Sequence, residues 1–167
     1  MAMVGLFWIT PDAVYVGSPP NAIGGGCVRL SADGLEAFDL DGSRMWTWEA
    51  LRSAVVEDVP VEGPAGRAPK LLGAMVSAAM GAFLGEGPPR MRLRLETEYG
   101  TEEVMVHSAA AGGYGAEEAA LSQDLLARFV AGTAEPRTVE EWGRTHGLEG
   151  TPKPDVRENL LRTWAQA

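Results

Sequence analysis

The clearest alternation of apolar and polar positions runs through MRLRLETEYG. Met91, Leu93, Leu95 and Thr97 fall on one side of an extended chain, and Arg92, Arg94, Glu96 and Glu98 on the other. A period of two with one wet face predicts an antiparallel strand. TEEVMVHS follows, with Gly100 at the junction, so the two segments predict a hairpin. The first third of the chain repeats this theme in shorter pieces. GLFWIT and AVYVG flank the turn pair Pro11-Asp12, and Leu6, Trp8, Val14 and Val16 alternate with their neighbours as in half-buried strands. CVRLS and LEAFDL flank Ala32-Asp33-Gly34, and RMWTW follows Asp41-Gly42, placing Trp46 and Trp48 on one strand face, in the core or at a sheet edge. SPPNAIGGG reads as a loop. Trp48-Glu-Ala-Leu-Arg reads as one helical turn or irregular chain leading into a further strand, AVVEDVPV.

The pattern changes after EGPAGRAP. Between Lys70 and Glu86 lies LLGAMVSAAMGAFLG, fifteen residues without a charge. As a helix over 70–85 it would be about 24 Å long, short of the roughly 30 Å hydrocarbon core of a bilayer. Leu71, Leu72, Met75, Val76, Met80 and Phe83 share a bulky arc, while Gly73, Ser77, Gly81 and Gly85 line another. A helix apolar all round is normally buried on several sides. Three settings fit it: burial in its own domain, packing on a twin in a homodimer through the small-residue row, or a cover over an apolar ligand or lipid. The residues expected to make its contacts are Leu72, Gly73, Val76, Ser77, Met80, Gly81, Phe83 and Leu84.

Helical spacing returns in ALSQDLLARFV, where Leu121, Leu125, Leu126 and Phe129 share a face that ends near Gly132. Thr138-Val-Glu-Glu141 and Asp155-Val-Arg-Glu158 read as capping boxes opening two tail helices, joined by the linker GLEGTPKP. Trp142 and Trp164 lie on these helices, where they would anchor the tail or meet a partner.

The order of short antiparallel strands followed by one amphipathic helix resembles the pleckstrin-homology-like (PH-like) superfold of bacterial proteins. The resemblance is carried by GLFWITPDAVYVG, MWTWEALRSAVVED and ALSQDLLARFV, and spans about Gly5 to Ala131. It implies an α+β fold: a bent antiparallel sheet or barrel of seven or eight strands capped by a C-terminal helix. The domain would run over 1–132, with an insert at 62–90, followed by a helical tail over 133–167. Such domains are binding modules, so the resemblance implies protein binding or self-association and no catalytic residue. Phosphoinositide binding is not expected, because the first hairpins carry Asp12, Asp33, Glu36, Asp39 and Asp41 against Arg29 and Arg44.

Charge and composition narrow the partners. The net charge is −9, with 14 Lys and Arg scattered along 167 residues, so no basic stripe suits nucleic acid or an anionic membrane. Arginine preference with richness in Ala and Gly suggests a high-GC bacterial genome. One cysteine excludes an internal disulfide framework, no apolar run is long enough to span a bilayer, and no signal-peptide pattern opens the chain. A cytoplasmic location is expected.

Candidate chemistry is thin. His107 and His146 stand apart, with no His-x-x-x-His or Cys-x-x-Cys, so neither a metal nor a cofactor is expected. Cys27 follows Gly24-Gly25-Gly26 with no adjacent base to activate it. Glu57-Asp58, Glu96, Glu98, Glu102 and Glu103 read as solvated strand faces, with Glu98 and Glu103 set against Arg92 or Arg94 across the hairpin. A non-catalytic interaction or scaffold module is the leading reading, an apolar-ligand or lipid binder the runner-up. An enzyme centred on His107 and its hairpin glutamates is the weakest.

Overall fold

In the computed structural model, residues 1–20, 26–39, 42–62 and 88–167 are described. The predicted helix over 70–85 and all eight of its contact residues lie outside them.

The described chain is α+β, with two antiparallel sheets and three helices. Strands β1 (Ala2–Val4), β2 (Phe7–Ile9), β3 (Val14–Val16), β4 (Cys27–Leu30), β5 (Gly34–Asp39) and β6 (Gly42–Thr47) form a six-stranded sheet in chain order. A 3-10 turn, Trp48–Ala50, makes the corner into β7 (Leu51–Glu57), which pairs with β8 (Arg90–Thr97), which pairs with β9 (Gly100–His107). Helix α1 (Ala116–Ala131) packs on β7, and α2 (Arg137–His146) and α3 (Pro154–Trp164) follow. Nine strands replace the expected seven or eight, and no closed barrel forms among the described residues.

The β8–β9 hairpin follows its alternation: Met91, Leu93, Leu95, Val104 and Val106 are buried. Arg94 pairs with Glu103 in the register, and Arg92 lies 3.8 Å from Glu103. Glu98 sits in the turn instead, one residue past the strand. In β2 the buried phase is Phe7 and Ile9, with Trp8 only half-buried, the reverse of the period read around Leu6 and Trp8. Leu6 is buried too, because it belongs to the β1–β2 turn. That turn needs Gly5: its φ is +55°, and a Cβ there would fall 2.0 Å from Ser122 Oγ. Trp48 leaves the strand for the 3-10 turn, so it does not share a face of β6 with Trp46. Its ring meets Phe129 of α1 at 5.5 Å, and its Nε1 donates to the Ser31 carbonyl.

Helix α1 buries Leu125, Leu126 and Phe129 and stops at Gly132, whose φ of +68° suits a glycine C-cap. Each large side chain so buried contributes about 1.5–3 kcal/mol of transfer free energy. Both capping-box expectations fail. Pro136 holds the N-cap position of α2, and the Thr138 hydroxyl donates back to the Glu135 carbonyl. Lys153 holds the N-cap position of α3, with Pro154 inside the first turn. Tail residues Val139, Leu161, Trp164 and Ala165 enter the same core cluster as the sheets and α1. A buried fork joins the helices: Arg157 Nη2 donates to Glu118 Oε1 at 2.6 Å and Nε to Oε2 at 2.9 Å. Glu118 is only 4% exposed, so its charge is stabilised by that guanidinium rather than by water.

Candidate functional site

A sheet edge presents backbone N–H and C=O groups in a row, and proteins generally cover such rows. Here four strands lie at edges: β1 and β6 in one sheet, β7 and β9 in the other. At β1, the Met3 N–H donates to Thr151 Oγ1 of the tail. At β9, the His107 carbonyl accepts the Ser18 N–H. At β7, the Gln123 side-chain amide of α1 acts as a substitute strand. Its Oε1 accepts the Val56 N–H at 3.1 Å, and its Nε2 donates to the Val56 carbonyl.

Strand β6 is treated differently. Ser31 and Gly34 exchange both backbone bonds across the β4–β5 turn. Alternation then directs Leu35, Ala37 and Asp39 toward β6, where their partners are Trp46, Arg44 and Gly42. Ser43, Met45 and Thr47 therefore point their backbone groups away from the sheet. Among the described residues these groups have no backbone partner. Five of the six β6 residues are exposed, Trp46 being the exception.

A cleft of about 570 Å³ lies against this edge. Met45, Trp46 and Thr47 form one wall, Glu49 and Arg52 the corner, and Glu98 and Tyr99 of the β8–β9 turn the far wall. Its volume falls within the roughly 300–1,000 Å³ typical of ligand pockets. Glu102 ties the two sheets at the cleft margin. Its Oε1 accepts the Trp46 Nε1–H at 3.0 Å, and its Oε2 the Arg44 guanidinium at 3.3 Å. Arg44 in turn lies 5.4 Å from the centre of the Trp46 ring, within cation–π range. Two large apolar side chains stand open here, Met45 at 49% and Tyr99 at 91% exposure. The Tyr99 phenol bonds to the Glu98 carboxylate, which raises its pKa by favouring the protonated donor.

Of the residues singled out from the sequence, Trp46, Glu98 and Glu102 line this cleft, and the histidines, the cysteine and the tail tryptophans fall elsewhere. Trp164 is buried, and Trp142 meets it edge to face at 5.8 Å while stacking on His146 at 5.3 Å. His107 ends β9 at the end opposite the β8–β9 turn, and its Nδ1 is buried without a hydrogen-bond partner among the described residues. Cys27 is buried in β4, where desolvation raises its thiol pKa and disfavours the nucleophilic thiolate. Among the described residues no group of three or more His, Cys, Asp or Glu side chains could hold a metal ion. No described helix is long and apolar enough to cross a membrane. The open edge itself escaped sequence reasoning. Met45 and Tyr99 are an isolated methionine and a turn tyrosine, and the only signal was Asp41-Gly42 starting a strand after which no partner followed directly.

No family model, curated protein or solved structure matches the chain.

Proposed function

We propose that this chain is a non-catalytic interaction module of PH-like architecture, and that it docks an extended segment of a partner protein as an added strand on β6. The PH-like reading is supported by the order of elements: two successive antiparallel sheets, then a helix packed on the first strand of the second sheet. The docking reading is carried by one observation. The groups of Ser43, Met45 and Thr47 form an outward-facing backbone row beside a cleft with no backbone partner among the described residues, while each other edge has at least one outward group bonded. Strand addition draws its affinity from such groups and its selectivity from the adjoining side chains. Self-association through the 70–85 insert, and an apolar ligand beneath it, rest on the sequence alone.

The test uses the intact chain as bait for a displayed library of random peptides, with the Met45→Pro variant as counter-bait. Proline at Met45 removes an outward N–H and leaves the ladder to β5 intact. Selected peptides are expected to slow amide exchange at Met45 and Thr47 and to lose binding to the proline variant. Peptides that bind both baits equally, with no protection at Met45, overturn the reading.

A further inference from the structure

The walls of the cleft specify more than a strand. Glu49, Glu98 and Glu102 line the cleft with Arg52, Arg44 pairs with Glu102 at its margin, and the chain as a whole carries a net charge of −9. Glu49 and Glu98 are exposed, Glu98 accepting the Tyr99 phenol, whereas Glu102 is engaged by the Arg44 cation and the Trp46 N–H donor. Met45 and Tyr99 add open apolar surface to the same walls. The Thr97–Gly100 turn faces the β6 edge across the cleft. A single extended chain brings no sheet of its own, whereas a second copy would have to bring its β5 behind an incoming β6.

We infer that the occupant is a lone extended peptide of basic and apolar character, its Lys or Arg side chains meeting Glu49 and Glu98 and its apolar side chains meeting Met45 and Tyr99. This rests on the strand-docking reading above and adds the chemistry of the partner. Charge complementarity at an exposed rim acts chiefly on encounter rate and on rejection of wrong partners. The acidic walls therefore exclude acidic segments as much as they attract basic ones.

The experiment sequences the pool selected on the intact chain and measures its best peptides by titration calorimetry at low and high salt. The same peptides are titrated into a Glu49→Lys, Glu98→Lys double variant whose melting temperature is checked first. Enrichment of Lys and Arg, weaker binding at high salt and roughly tenfold weaker binding to the double variant are expected. Peptides without basic residues that still need Met45 and ignore the double reversal overturn the charge assignment and leave strand docking standing. A pool indifferent to Met45→Pro overturns both. A concentration-dependent dimer in sedimentation, lost in Met45→Pro, also overturns the inference by making a second copy the occupant.

Discussion

Strands β6 and β7 are consecutive, joined only by Trp48–Ala50, and each forms the edge of its sheet. Their edges are handled in opposite ways. Val56 of β7 is 3% exposed, and Gln123 reaches from α1 to bond both its N–H and its carbonyl. Met45 of β6 is 49% exposed, with its outward groups in reach of water. Burial accounts for the contrast. A buried backbone group left unpaired costs about 1–3 kcal/mol, whereas an exposed one exchanges water for a partner at small net gain. An edge under a helix must carry its own cap, while an edge facing solvent can wait for one. The difference is what the proposal of strand docking on β6 rests on.

The strongest way to break the closed side of this comparison is at the tail, which also covers β1. Arg157→Ala would leave the buried Glu118 carboxylate without its counter-charge. Such a removal costs about 3–5 kcal/mol, measured by chemical denaturation. Amide exchange at Met3 should accelerate as Thr151 and α3 loosen. The control is Arg162→Ala, whose bridge to Glu117 is exposed on both sides and is worth at most about 1 kcal/mol. Equal losses for the two variants would show that the Arg157 fork is no more than a surface pair.

At β7, Gln123→Leu keeps the side-chain volume and removes both bonds to Val56. A loss of about 2 kcal/mol is expected, with faster exchange of the Val56 amide. An unchanged stability and unchanged exchange would mean that packing of α1 alone closes this edge.

At β6 the comparison turns on parity. Arg44→Pro removes an N–H that the ladder to Ala37 uses and should cost about 1–3 kcal/mol beyond Arg44→Ala. Met45→Pro, one residue on, should cost no more than about 1 kcal/mol, because its N–H faces outward. Equal damage from the two prolines would refute the register from which the open edge is deduced.

Sequence reasoning reached some of these elements and not others, and the reason is range. The β8–β9 hairpin and α1 were legible because Met91, Leu93 and Leu95, or Leu125, Leu126 and Phe129, repeat at the period of their own backbone. The break between β1 and β2 was not legible, because three-residue strands hold too little pattern and their turn is fixed by Gly5 against Ser122, far away in the chain. The capping boxes were legible motifs displaced by stronger local chemistry, the prolines at 136 and 154. The candidate site was the least legible part. An edge is defined by what does not pair with it, and the cap that closes β7 comes from Gln123, 67 residues beyond Val56. No local window contains that relation. Trp46 was noticed as core or sheet edge, yet its tie to Glu102 spans 56 residues and shows only once the two sheets meet.

The smallest expected change in stability sharpens the open side most. Tyr99 is 91% exposed at the tip of the β8–β9 turn, so Tyr99→Ser should alter stability by no more than about 0.5 kcal/mol. A large exposed aromatic in a hairpin turn gains nothing for the fold that serine would not supply. If it serves as the far wall of the cleft, the same variant should bind the selected peptides several-fold more weakly, with the Met45 amide still protected at saturation. Undiminished binding would confine recognition to the β6 edge and remove the hairpin tip from the site.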